Sequence, residues 1–269
     1  MTPATEFDRA IAAIPVHGAP GQYGVRFSAD WNAPAGPNGG YLAAMVLNAM
    51  MLGLDEPARV PRTLTLHYMR PPQPGEGTVA VATERAGRTM TTLSARVVQG
   101  GRPMVLALAA FGESRPAMGE YAVPMPDAPP LSELRKIETN DLMPPIAHRF
   151  DMWPLRGPRP FSGSDTAEIA GWARLPEPRG IDALLLAIAT DMWLPPSFLR
   201  VTELAAAPTI ELTIHFRHVP ETSDDSLHFA RFRTETSREG FVEEDGWIWG
   251  PDGTLLAQSR QLALLFPIG

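Results

Sequence analysis

The run Pro37-Asn38-Gly39-Gly40-Tyr41-Leu42-Ala43-Ala44-Met45-Val46-Leu47-Asn48-Ala49-Met50-Met51-Leu52 decides how the chain is read. A cluster of helix breakers is followed by a stretch free of Gly and Pro and apolar on nearly every face. A run of that length is helix rather than strand, and without a polar stripe it predicts a helix buried on all sides. Four β-like segments follow it, Arg62 to Met69, Thr78 to Arg85, Met90 to Gln99 and Pro103 to Phe111, separated by turn formers such as Pro71-Pro72-Gln73-Pro74-Gly75 and Gln99-Gly100-Gly101. The first half therefore reads as a helix and then an antiparallel meander.

The same order returns further along. Ile181-Asp182-Ala183-Leu184-Leu185-Leu186-Ala187-Ile188-Ala189-Thr190-Asp191-Met192-Trp193 predicts a second apolar helix, stopped by Pro195-Pro196. Strand candidates lie at Thr209 to His218, Leu227 to Ser237, Gly240 to Trp249 and Thr254 to Phe266. Leu64-Thr65-Leu66-His67-Tyr68 is echoed by Leu212-Thr213-Ile214-His215-Phe216, 148 residues on, so the chain reads as an internal duplication. Between the repeats, Pro116 to Pro145 holds seven prolines of the chain's 29 and little sustained apolar period. We expect two units, 1–115 and 146–269, joined by a Pro-rich linker over 116–145. A buried helix wrapped by a curled antiparallel sheet, twice over, is an α+β arrangement, and an uncovered sheet edge or face favours pairing of the halves into a pseudo-dimer.

Composition narrows the chemistry. The 269 residues are 44% hydrophobic and 20% charged, as in an ordinary folded domain. The absence of cysteine excludes disulfides, thiolate-bound zinc, iron–sulfur clusters and cysteine nucleophiles. A net charge of −7 without a basic tract argues against nucleic acid, while a few arginines can still form a local anion site. The first residues lack the basic patch and apolar run of a signal peptide, and no stretch reaches the roughly 20 apolar residues of a membrane span, so the expected location is cytoplasmic. No Gly-x-Ser-x-Gly elbow, His-Glu-x-x-His, Gly-x-Gly-x-x-Gly or P-loop occurs, and the six histidines are scattered. A carboxylate that activates water is what remains, with no metal and no cofactor expected.

Helix-then-meander repeated, with Asn38-Gly39-Gly40-Tyr41-Leu42 opening the first helix, resembles the double hot-dog acyl-CoA thioesterases, in particular the acyl-CoA thioesterase II-like group. That resemblance covers most of the chain outside the linker. It implies hydrolysis of an acyl-CoA by three residues of the second half. The catalytic Asp at the end of the second helix falls on Asp191, the Thr opening the next strand on Thr209, and the Gln of the last strand on Gln261. The chain departs from the group's pattern after Asp191, where Met192-Trp193-Leu194-Pro195-Pro196 stands, after Thr209, and after Gln261, which leucine follows. Hot-dog sheets commonly associate, which implies a homodimer.

Each site residue also has a plain reading. Asp191 interrupts an apolar helix near its C-terminus, where burial would raise its pKa and make it a better base; otherwise it faces solvent. By strand alternation Thr209 shares a polar face with Glu211, Thr213 and His215, which lines a site or is simply wet, and Gln261 stands under the same two readings. Asn38-Gly39-Gly40 is either a helix cap or a set of free backbone donors for a carbonyl, and Gly180, opening the second helix, is the alternative donor site. Arg231 and Arg233 are candidate contacts for the CoA phosphates, and Trp193 a candidate wall of an acyl tunnel. Two other activities share these features. One is an acyl-CoA-binding protein that has lost turnover; the other is a hot-dog enoyl-CoA hydratase, which wants an Asp-x-Asn-Pro-x-His string that is absent.

Overall fold

The computed structural model describes residues 4–54, 56, 58–220 and 225–268. In each half two strands of the main sheet precede the helix and four of its longer strands follow it. The first half carries β1 (Ile14–Pro15), β2 (Gln22–Phe27), helix α2 (Gly39–Leu52), β3 (Val60–Tyr68), β4 (Gly75–Ala86), β5 (Met90–Gln99) and β6 (Arg102–Gly112), after a short opening helix α1 (Glu6–Ala10). The second carries β7 (Asp151–Pro154), β8 (Glu168–Arg174), helix α3 (Ala183–Ala189), β9 (Thr209–Phe216), β10 (His228–Arg233), β11 (Phe241–Trp249) and β12 (Leu255–Leu264). The strands ahead of each helix are additions to the sequence reading. For β2 the signal was present, since Tyr23, Val25 and Phe27 alternate inward as a half-buried strand requires.

All these strands, with the two-residue strand Ser237–Arg238, form one antiparallel sheet of 13 strands in the order β1-β2-β4-β5-β6-β3-β9-β12-β11-β10-β8-β7, Ser237–Arg238 pairing with β11. The second half repeats the pairing of the first, and the halves join edge to edge through β3 and β9. The joining strands are the two that echo one another in sequence. Leu64 pairs with Ile214, Thr65 with Thr213 and Leu66 with Leu212, so a local twofold passes through the Thr65–Thr213 pair, whose hydroxyls lie 2.9 Å apart. Each half thus uses the other to cover the edge that it would otherwise expose.

Both helices lie on the inner face of the sheet and share one core. Helix α2 starts at Asn38, whose side chain accepts from the Tyr41 N–H at 2.8 Å. Leu42, Met45, Val46, Leu47 and Met50 are all buried. At about 2 kcal/mol per side chain, that burial is worth roughly 10 kcal/mol as an upper bound. Helix α3 is shorter than the apolar run suggests. It is capped by Asp182 and ends where the buried Thr190 hydroxyl donates back to the Ala187 carbonyl at 2.8 Å, competing with a further helical turn. Asp191 therefore lies in the turn just beyond the helix rather than within it.

The segment 116–145 is a strap over the outer face of the second half. Met125, Ala128, Leu131 and Leu134 pack on a cluster built from Trp172, Phe229, Trp249 and Leu255, and the Trp249 indole donates to the Val123 carbonyl at 3.0 Å. Among the described residues no helix is long and apolar enough to cross a membrane.

Candidate active site

The first turn of α2 lies against the last turn of α3, and the contact is close because Gly40 has no side chain. A Cβ there would come within 2.7 Å of the Ile188 carbonyl oxygen and 3.1 Å of the Asp191 Cβ. This approach brings the positive end of α2 onto the Asp191 carboxylate. Asp191 Oδ2 accepts from the Gly40 N–H at 3.0 Å and from Asn38 Nδ2 at 2.9 Å, while Asn38 Nδ2 also donates to the Asp191 carbonyl at 2.6 Å. Asn38 is at once the cap of its own helix and the clamp on a residue 153 positions away. The Tyr68 hydroxyl, from the end of β3, donates to the Gly39 carbonyl at 2.8 Å and pins the same turn.

Thr209 and Gln261 come from neighbouring strands. A β-bulge between Thr209 and Glu211 breaks the alternation on β9. Thr209 is thereby carried to the inner face, the side on which Leu212, Ile214 and Phe216 are buried, and away from the face of Thr213 and His215 to which unbroken alternation assigns it. Its hydroxyl donates to Gln261 Oε1 at 2.9 Å. Gln261 is 6% exposed, and its Nε2 donates to Glu244 Oε1 at 2.7 Å. Asp191, Thr209, Gln261 and Glu244 line one cavity of about 20 Å³, with Ser197 and Thr234 as further polar neighbours and Pro195, Ala207, Val242 and Ala263 as apolar walls. The lining holds no histidine, and no group of acidic and histidine side chains fit for a metal occurs among the described residues.

Burial pushes the Asp191 carboxyl up to about 6. The Gly40 and Gly39 N–H groups and the Gln261 and Asn38 amides pull the other way and keep it from rising further. The result is a base that is ionised at neutral pH yet close enough to neutrality to take a proton. Glu244 is pushed well above the ordinary carboxylate range, by burial first and then by the charge of Asp191.

Sequence reasoning missed Glu244, Ser197 and Tyr68. Glu244 sits in the acidic string Glu243-Glu244-Asp245 and looks solvated, yet it alternates with Val242, Gly246 and Ile248 toward the interior. Ser197 is buried, and among the described residues its hydroxyl has no partner.

Four sequence candidates lie elsewhere. Gly180 stands at the opposite end of α3, about 10 Å of helix away, where Arg179 bonds its carbonyl and clamps the capping Asp182. Arg231 and Arg233 point to the outer face of the sheet and are engaged by Glu168 at 2.6 Å and Glu235 at 2.5 Å. Outward direction follows from alternation with the inward Ala230 and Phe232, and it separates both arginines from the cavity. Trp193 packs over Gly171 of β8 and is not part of the cavity lining.

Comparison with known proteins bears on the fold and the family. Residues 27–112 match the family model of the acyl-CoA thioesterase N-terminal domain, and residues 120–265 that of the acyl-CoA thioesterase C-terminal domain. An uncharacterized protein of Mycobacterium tuberculosis, Rv0499, is 26% identical over 96% of this chain and 98% of its own. Among solved structures, a conserved hot-dog protein of unknown function from Alicyclobacillus acidocaldarius has a TM-score of 0.88 at 25% identity, covering 98% of this chain and 99% of that one. A Thermobifida fusca protein assigned as a thioesterase II has a TM-score of 0.85 at 27% identity, covering 99% of both. With both halves matched in order, the chain belongs to the acyl-CoA thioesterase family and is a thioester hydrolase of hot-dog fold.

Proposed function

We propose that the protein hydrolyses acyl-CoA thioesters with a water activated by Asp191, and that its two halves, 1–115 and 146–269 with the strap 116–145 between them, act as tandem hot-dog units. The observation that carries this reading is the half-buried Asp191 carboxylate lining the same small cavity as Thr209 and Gln261. A cavity of about 20 Å³ is room for one water, and its polar lining supplies the two to four partners such a water needs.

The hydrogen-bond directions say how the water would be held. The single proton of Thr209 is given to Gln261 Oε1, so Thr209 Oγ1 faces the cavity as an acceptor. Asp191 Oδ2 accepts from Asn38 and Gly40, and Oδ1 is the oxygen we assign to take the proton. A water donating to Asp191 Oδ1 and Thr209 Oγ1 turns its lone pairs toward the acyl carbonyl. As the C–O bond forms, Asp191 takes the proton. As the C–S bond breaks, the proton passes to the departing thiolate, and acid and free thiol leave. The α2 N-terminus, with its aligned N–H groups, favours the negative charge that builds up near it.

Thiol release from a panel of CoA thioesters, acetyl to palmitoyl, tests the reading. Wild-type protein releases thiol and Asp191→Asn is slower by at least a hundredfold. Equal rates would remove Asp191 as the base, and binding of acyl-CoA without any release by wild type would point to a binding protein instead.

A further inference from the structure

Glu244 is a carboxyl group on the wall of the cavity that the mechanism above does not use. It is 8% exposed, and it comes from β11, the strand next to the one that carries Gln261. Its neighbours on that strand, Glu243 and Asp245, belong to the other face. Glu243 accepts from the Glu235 and Thr236 N–H groups, and Asp245 forms a two-point pair with Arg260 at 2.6 and 2.7 Å. Glu244 alone of the three turns inward, and among the hydrogen bonds it makes is the one from Gln261 Nε2.

An amide has a donor end and an acceptor end, and which way round it sits depends on its neighbours. Two carboxyl groups, Asp191 and Glu244, lie on the Nε2 side of Gln261, and reversing the amide would turn its oxygen onto both. The reversed amide would also offer N–H to Thr209, whose hydroxyl proton would then be free to point at the water and compete for the lone pair needed for attack. We propose that Glu244 is a positioning residue of this site, anchoring the relay Thr209 to Gln261 to Glu244 so that Thr209 Oγ1 faces the cavity as an acceptor only. The inference rests on the reading of Asp191 as base, and it adds a residue that acts through Gln261 rather than on the substrate. Burial and the Asp191 charge push the Glu244 carboxyl well above the ordinary carboxylate range, in the direction of its neutral form. On the Oε1 side, among the described residues, the Thr209 hydroxyl is the group that meets the amide.

Steady-state thiol release from the same CoA thioesters separates the possibilities. Glu244→Met fills a similar volume without an acceptor and should lower kcat at least tenfold with KM within about threefold. Glu244→Gln keeps an acceptor oxygen and should recover most of that loss. Added to Gln261→Ala, Glu244→Met should cost less than twofold more, because the residue it acts through is already gone. Melting curves of each variant show that the chain is folded. Wild-type kcat in Glu244→Met, no recovery in a folded Glu244→Gln, or losses that multiply in the double variant would each overturn the inference. If Glu244→Met behaves as wild type while Asp191→Asn is inactive, only the anchor falls; if Asp191→Asn keeps wild-type turnover, the hydrolytic reading beneath it falls first.

Discussion

Asn38 holds Asp191 across the junction of the two halves, its amide 2.9 Å from the carboxylate and 2.6 Å from the main-chain carbonyl of the same residue. The cap of the first helix is therefore part of the electrostatics of a carboxylate that belongs to the second. Asn38→Ala should cost about 1 kcal/mol from the lost cap, and more from the stranded carbonyl and carboxylate.

Asn38→Asp separates the two duties. Aspartate caps a helix as well as asparagine, but it brings a negative charge to within hydrogen-bond distance of Asp191 and donates nothing to it. Helix stability should be nearly kept, while the acid limb of kcat/KM moves to higher pH than in wild type. A pH–rate series on both proteins checks this, and coincident limbs would show that Asn38 does not tune the base.

Gly40 and Gly24 make a matched pair for testing the helix contact. A methyl group at Gly40 meets the Ile188 carbonyl at 2.7 Å, whereas at Gly24 its nearest neighbour is the Ile14 carbonyl at 3.8 Å. Gly40→Ala should destabilise the chain by roughly 1–3 kcal/mol, since main chain must move, and should displace Asp191 with loss of turnover. Gly24→Ala should leave melting and activity near wild type.

The Asp191 carboxyl, raised by burial from 3.8 to about 6, makes stability depend on pH with a definite sign. The folded protein binds the proton more tightly than the unfolded chain. The group therefore favours folding most below pH 4, loses that contribution as pH rises toward 6, and beyond it leaves a constant cost of about 3 kcal/mol. Asp191→Asn removes the cost, so this variant should melt several degrees above wild type at pH 8 and close to it at pH 4. Turnover should run the other way, falling in wild type as pH drops below about 6. Melting differences equal at the two pH values would mean that Asp191 carries no such shift.

The parts of the molecule that were legible in the sequence are those where one residue pattern has one structural solution. Tyr41 to Leu52 is apolar all round and could only be a buried helix, and the strands after each helix are bounded by Pro and Gly. The repeated Leu64–Tyr68 motif announced the duplication, though not that the two copies would pair with each other through Thr65 and Thr213. What escaped depends on tertiary context. A bulge after Thr209 reverses the face on which that residue lies, and no property of Ile210 advertises it. Glu244 is hidden between Glu243 and Asp245, which are bonded on the other face, and the arginines chosen for phosphate are paired on that outer face. Asn38-Gly39-Gly40 was open between a cap and free donors for a carbonyl; the structure uses Asn38 Oδ1 as the cap and turns Asn38 Nδ2 and the Gly40 N–H onto the Asp191 carboxylate, a third use that the sequence did not suggest.

The strap over the second half invites a test that leaves the active site untouched. Trp249 is fully buried in the outer cluster, and its indole N–H is the hydrogen bond that fastens the strap at Val123. Trp249→Phe keeps most of the ring contact with Phe229 but removes that donor and leaves the Val123 carbonyl in search of water. Loss of one such bond is worth about 1 kcal/mol, too little to unfold the domain and enough to raise the open population of the strap about fivefold. Met118 and Tyr121 on the strap are already fully exposed, so limited proteolysis should cut wild type slowly between 116 and 130 and the variant several times faster, with thiol release unchanged. Cleavage at equal rates would show that apolar packing of Met125, Leu131 and Leu134 holds the strap without help from the Trp249 indole.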